Sequence, residues 1–390
     1  MVRGGRVPVL WITGPAGVGK STVSWQLFTE AASSGTRVAF ADADQLCMCY
    51  PPPPDDPGRD RIRMRNAGAV IRNYQAAGAL PVIVNGVVDP AWGVQQDLLE
   101  QVELMVCRLR ADPEEVARRL AGRHPGSGLG DSARRVREEC GRMDASGFAN
   151  VRVDTNGVPA AEVARLVRDS CAGWTGFGDV AGETPGAAPG LLGGAAESEA
   201  DGAGGQVLLL CGPAGVGKST IGFQLYLRCQ RAGLSAGYID LDQIGFLTPP
   251  AADDPRSHGL KARNLAAIWR TYHAAGARYV MITGPVENQA ALQGYVAALP
   301  AAVVTACRLH AGPAELTRRI MTRGEGGSWP QPGDPLRGQS ASYLLQAAEQ
   351  AAGEARALDR SDLEARRIDT DEHTAGQAAG LVAAAAGWPG

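Results

Sequence analysis

Short apolar runs alternate along the chain with longer segments in which apolar residues recur every three or four positions. Residues 7–13 form an unbroken, β-branched apolar run that stops at a glycine-rich loop, the pattern of a strand buried on both faces. Residues 21–33 follow with Val23 and Leu27 four apart, which predicts a helix with one apolar face. The alternation continues with a strand at 37–41, a helix at 59–77 beyond a proline-rich loop, and strands at 80–84 and 102–109. A helix at 113–123 with proline in its first turn, a strand at 151–154 and a closing helix at 160–171 complete the series. Such alternation predicts an α/β fold: a five-stranded parallel sheet with helices on both faces and ligands at the strands' carboxyl ends.

The whole pattern is written twice. Gly14-Pro15-Ala16-Gly17-Val18-Gly19-Lys20-Ser21-Thr22 recurs letter for letter as Gly212-Pro213-Ala214-Gly215-Val216-Gly217-Lys218-Ser219-Thr220, an offset of 198 residues. The same offset carries Asp42-x-Asp44-Gln45 onto Asp240-x-Asp242-Gln243, Asp55-Asp56-Pro57 onto Asp253-Asp254-Pro255, and Arg65-Asn66 onto Arg263-Asn264. The expected organisation is a domain at 1–175, a flexible Gly/Ala-rich linker at 176–205 and a second domain at 206–390.

Composition narrows the class. The net charge of −3 removes the basic footprint of a general nucleic-acid binder. No apolar stretch reaches the 18 or so residues of a membrane span, and no secretory leader is recognisable, so a cytoplasmic location is expected. The eight cysteines lack C-x-x-C spacing and read as free thiols. Of 38 basic residues only Lys20, Lys218 and Lys261 are lysine. Two of them stand in the repeated loops, where a slim ammonium enters and a planar guanidinium does not.

G-x-x-x-x-G-K-[ST] between a strand and a helix is a phosphate-binding loop, whose backbone N–H groups and helix N-terminus cradle an oxyanion. Lys20 and Lys218 are expected on the β- and γ-phosphates of ATP, with Ser21 and Ser219 on Mg²⁺. The third strand ends in Asn85-Gly86 or Thr283-Gly284, without the acid that motor-type and AAA-type ATPases carry there. The acids instead close the second strand. In an extended segment positions i and i+2 point the same way, so Asp42 with Asp44, and Asp240 with Asp242, are expected to face the phosphates together. One would support the metal and the other accept a proton from an attacking hydroxyl.

With these residues each copy resembles the small-molecule kinases of the P-loop fold, the shikimate kinase, adenylylsulfate kinase and chloramphenicol phosphotransferase group. The resemblance covers nearly the whole of each repeat and implies two tandem, nucleoside-kinase-like P-loop domains. It implies that Lys20 and Lys218 stabilise the transferring phosphoryl group and that Ser21, Asp42, Ser219 and Asp240 serve Mg²⁺. Asp44 and Asp242 would contact the hydroxyl of a small-molecule acceptor. It also implies a lid after the fourth strand. There Arg119 and Arg123, and Arg319 and Arg323, lie four apart on one helix face before the glycine-rich stretches 124–130 and 324–333. Shikimate kinases place a three-glycine run near Gly86 and Gly284 that is missing here.

Other candidates are less committed. Arg65-Asn66 and Arg263-Asn264 suit an anionic or polyhydroxyl acceptor or a plain helix surface. The Asp-Asp-Pro turns suit acceptor contact or a helix start. Thr155-Asn156-Gly157 and Thr370-Asp371 stand where related kinases pass the adenine edge. A nucleotide-binding ATPase regulator, without a small-molecule acceptor, is the alternative function.

Overall fold

The computed structural model describes residues 6–123, 129–177, 204–326 and 333–389. The linker expected at 176–205 and both glycine-rich lid stretches fall largely outside them, as does the side chain of Arg123. The first repeat runs β1 (Val7–Thr13), α1 (Lys20–Ser33), β2 (Val38–Asp42), β3 (Cys49–Tyr50), α2 (Asp60–Ala76), β4 (Val82–Asn85), β5 (Val102–Arg110), α3 (Pro113–Arg123), α4 (Leu129–Ala145), β6 (Val151–Asp154) and α5 (Ala160–Ser170). The second runs β7 (Gln206–Cys211), α6 (Lys218–Arg231), β8 (Ala236–Asp240), β9 (Phe246–Thr248), α7 (His258–Ala274) and β10 (Tyr279–Thr283). It continues with α8 (Gln289–Ala297), β11 (Val303–His310), α9 (Pro313–Gly324), α10 (Ala341–Asp359), β12 (Arg366–Asp369) and α11 (Ala375–Ala386).

Two compact units form, and they depart from the contiguous repeats at two short segments. The first unit contains the first repeat without Met48–Asp55 and takes in Phe246–Leu260. The second contains the second repeat without Phe246–Leu260 and takes in Met48–Asp55.

In the first unit the sheet order is β6-β5-β1-β4-β2-β9. The five strands that the first repeat contributes to this sheet are parallel, as the alternation predicts. The sixth, β9, comes from the second repeat and is antiparallel, pairing Phe40 with Phe246 and Val38 with Thr248. This corrects the five-stranded expectation: β2 is an edge with open N–H and C=O groups, and β9 covers it. β1 is buried along its whole length, with Trp11 fully enclosed, because helices cover both faces. Phe246 also closes an aromatic cluster with Trp25, Phe28 and Phe40, at ring separations of 5.0, 6.4 and 5.6 Å.

In the second unit the order is β12-β11-β7-β10-β8-β3. Here the first repeat supplies the antiparallel edge strand: Cys49 pairs with Gly237 and Tyr50 with Ala236. Cys49 and Leu247 occupy equivalent positions in the two repeats, as do Gly237 and Ala39, so both edges use one register. Met48 and Tyr50 pack against the apolar cluster that contains Tyr226 and Tyr238.

Among the described residues no helix is long and apolar enough to cross a membrane. All eight cysteines are free and buried.

Candidate functional site

Each glycine-rich loop joins the central strand, β1 or β7, to the helix that follows. Gly14 needs its missing side chain: its φ is +144°, and a Cβ there would stand 2.4 Å from the carbonyl oxygen of Leu109. Gly212 repeats the arrangement, 2.6 Å from that of Leu309. Lys20, 8% exposed, donates from Nζ to the carbonyl oxygens of Gly14 at 2.9 Å and Pro15 at 3.2 Å. Lys218 donates to Gly212 and Pro213, both at 2.9 Å. Both ammonium groups thus rest on their own loops, at the start of a helix whose N-terminal dipole favours an anion.

The acid pairs adopt a geometry that differs from the expected one. β2 ends at Asp42, and the chain turns at once: Ala43 N–H donates to Asn85 O at 2.7 Å, and Asp44 N–H to Asp42 Oδ1 at 3.0 Å. Asp42 serves as its own turn-former, which aspartate does readily. The two carboxylates therefore do not share one strand face. Asp42 lies beside the loop, where Ser21 Oγ donates to its Oδ2 at 3.4 Å, while Asp44 lies beside α2 and the chain after β4. The second unit repeats this, with Ser219 Oγ 2.7 Å from Asp240 Oδ2 and Asp242 N–H 3.0 Å from Asp240 Oδ1.

Burial, and after it the neighbouring Asp44 charge, push the Asp42 carboxyl up from 3.8 to about 6. Asn85 Nδ2 donates to Ser21 Oγ at 3.3 Å. In the second unit Tyr238 and Thr283 replace Phe40 and Asn85. The Tyr238 hydroxyl lies 3.1 Å from Thr283 Oγ1 and 3.4 Å from Asp240 Oδ2. Serine and aspartate oxygens at the foot of an anion-binding loop fit a hard cation such as Mg²⁺, which keeps waters and phosphate oxygens as its other ligands. Among the described residues no cluster of three or more His, Cys, Asp or Glu could hold a metal by itself.

Two of the four arginines expected in a lid, Arg119 and Arg319, bond to the loop. Arg119 Nη1 donates to Val18 O and Thr155 Oγ1, both at 3.1 Å, and Nη2 to Thr155 O at 2.8 Å. Arg319 makes the same three bonds to Val216 and Thr370. Glu115 and Glu315 hold the remaining Nε at 2.7 and 2.6 Å. Each guanidinium ties the loop to the residue after the last strand. Arg323 pairs with Asp334 at 2.7 Å. Arg134, Arg135 and Arg137 are exposed.

The remaining candidates sort plainly. Arg65 is exposed on α2, while Asn66 is fully buried and donates to Leu46 O at 2.6 Å, bracing the turn after Asp44. Asn264 does the same for Ile244 at 2.6 Å. Asp56 accepts from the N–H groups of Arg61 and Ile62 at the start of α2. Tyr74 is core, its hydroxyl on Phe40 O at 3.0 Å. Sequence reasoning passed over Arg63: it is buried, and its Nε lies 3.2 Å from Asp44 Oδ1 while Nη1 reaches Asp60. Lys261, at the equivalent position, lies 3.4 Å from Asp242 Oδ1. A cation in the same place in both repeats was the available signal.

Residues 10–140 match a family model described as an AAA domain. No curated protein matches the chain. Solved structures similar to it include an unliganded sugar kinase from Janibacter sp. HTCC2649, at 16% identity, 43% of this chain, 95% of that one and a TM-score of 0.32. The Deinococcus radiodurans tunicamycin resistance protein is similar at 19% identity, 47% and 97% coverage and a TM-score of 0.32. A shikimate kinase from Acinetobacter baumannii in complex with shikimate is similar at 17% identity, 43% and 94% coverage and a TM-score of 0.30. The loop strand lies between β4 and β5 in the first unit and between β10 and β11 in the second, β2 or β8 lies outside β4 or β10, and Asp42 or Asp240 ends that strand, which makes each unit a P-loop fold of the kinase-like kind.

Proposed function

We propose that each unit transfers the terminal phosphoryl group of ATP, with Mg²⁺, to a hydroxyl of a small molecule. The observation that carries this reading is the division of each acid pair. One carboxylate lies within reach of the loop serine, and the other is held by a cation on the far side of the turn. A pure nucleotide switch has no need of the second arrangement.

The chain's own groups supply the remaining parts. The loop N–H groups and the following helix bind the phosphates, and Lys20 or Lys218 leaves its carbonyl partners for the β- and γ-oxygens. Ser21 with Asp42, or Ser219 with Asp240, would hold Mg²⁺, which would supply charge neutralisation to the phosphates. Asp44 or Asp242 orients the acceptor hydroxyl and takes its proton as the oxygen bonds to phosphorus. The bond from that phosphorus to the β–γ bridging oxygen breaks, and ADP leaves.

The test is a full-length chain carrying Asp44→Asn and Asp242→Asn, assayed with a pool of hydroxylated metabolites. Acceptor-dependent ADP formation should fall about 10²-fold or more, with ATP affinity nearly unchanged. Undiminished transfer in that chain rules out the role given to the two aspartates. Tight ATP binding without stimulation by any acceptor supports the regulator instead.

A further inference from the structure

The two sites are identical letter for letter in their loops and in D-x-D-Q, yet they differ together at four positions around the second carboxylate. In the first unit Asp44 Oδ1 is pinned by two donors, Arg63 Nε at 3.2 Å and the backbone N–H of Val87 at 3.1 Å. In the second unit Pro285 stands where Val87 does and has no N–H to give. Asp242 keeps Lys261 at 3.4 Å, and its side chain is 51% exposed against 36% for Asp44.

The third position explains how each cation fits. The Lys261 stem crosses Gly245, where a Cβ would come within 2.5 Å of Cε and 2.6 Å of Cγ. The equivalent residue in the first unit is Cys47, so a lysine on that path would collide with it. Arg63 instead spreads a planar fork between Asp44 and Asp60, while the position equivalent to Asp60 is His258. A buried guanidinium shared by two carboxylates is rigid and keeps its charge, whereas one ammonium on a flexible stem is a movable point contact.

We infer that Arg63 and Lys261 are positioning residues for Asp44 and Asp242, and that they give the two units different acceptor ranges. Asp44 presents its second oxygen in one direction and accepts few hydroxyl geometries. Asp242 swings and accepts many. This rests on the phosphotransferase reading, because only then does the second carboxylate meet an acceptor.

Two full-length chains isolate the sites: Lys218→Ala leaves the first working and Lys20→Ala the second. Each is assayed for ATP-dependent transfer to a panel of neutral sugars, polyols, nucleosides and hydroxy acids. The first-unit chain should use a narrow subset and the second-unit chain a wider one. Adding Arg63→Lys together with Cys47→Gly, which clears the path of the lysine stem, to the first-unit chain should widen its range and lower kcat for its best acceptor about tenfold, leaving the KM for ATP unchanged. Restoring both residues recovers the original profile, and a matching Tm shows that the doubly substituted chain folds.

Identical acceptor profiles in the two chains overturn the inference while leaving the phosphotransferase reading intact. So does an Arg63→Lys, Cys47→Gly chain whose kcat falls equally for every acceptor without widening. Transfer to no acceptor by either chain, with ATP still bound, overturns the phosphotransferase reading and this inference with it.

Discussion

The backbone N–H of Asp44 donates to Oδ1 of Asp42 at 3.0 Å, so the first acid of the pair sets the direction of the second. Asp42 is 5% exposed and its carboxyl is raised to about 6, chiefly by burial. The folded chain therefore holds a proton that the unfolded chain has already released between about pH 4 and pH 6. Without nucleotide and Mg²⁺, the contribution of this group to stability falls as pH rises through that window and is lowest above it. Asp42→Asn should remove the slope and stabilise the free protein near pH 7 by roughly 1–3 kcal/mol, while weakening Mg²⁺-dependent nucleotide binding. Unfolding midpoints of both chains across the window check this, and an unchanged slope in the variant refutes it.

Phe246 belongs to the second repeat by sequence and to the first unit by structure. Its ring lies 5.6 Å from Phe40 and 5.0 Å from Trp25. Phe246→Ala should cost about 1–3 kcal/mol, felt in the first unit. A double-mutant cycle with Phe40→Ala should return a coupling of about 0.5–1.5 kcal/mol by denaturant unfolding. Strict additivity of the two changes contradicts the pairing.

Arg119 and Arg319 each fasten a loop carbonyl to the residue after the last strand. Arg119→Ala should therefore lower nucleotide affinity at the first site about tenfold or more, measured by titration in the Lys218→Ala chain. Arg119→Lys should not restore it, since one ammonium cannot reproduce a three-bond fork. A fall in kcat with affinity intact would instead assign Arg119 to the transferring phosphoryl group.

Asn66 and Arg65 are adjacent and should behave oppositely. Asn66→Ala leaves Leu46 O without its buried donor and should cost about 1–3 kcal/mol. Arg65→Ala, on the exposed face of α2, should stay within about 0.5 kcal/mol. Thermal unfolding separates them, and a large loss at Arg65 is the result that sinks this assignment.

Much of each unit is legible in the amino-acid order because it depends on local rules. β1 reads as a buried strand from its unbroken apolar run, and the loop that follows is fixed by glycines whose φ only glycine adopts readily. Asp42 at the end of β2 follows from the same logic. The turn at Ala43 and Asp44 does not, because alternation along a strand says nothing about where an aspartate will cap its own backbone. Arg119 reads as a lid residue or a solvated helix face; its place as a brace depends on Val18 and Thr155, distant in sequence. β3 and β9 escape detection for a different reason. Two or three residues before a proline carry no periodicity, and their partners lie in the other copy. Lys261 aligned with Arg63 reads as a tolerated exchange until Gly245 and Pro285 are seen to change with it.

The placement of β9 sets an order of events during synthesis. The first sheet cannot close its β2 edge when α5 leaves the ribosome at Ser170, because Thr248 is still 78 residues away. At 5–20 residues per second that edge stays open for roughly 4–16 s. Through that interval the nascent first copy carries an unpaired strand and an unfinished aromatic cluster, the kind of surface that chaperones and neighbouring chains recognise.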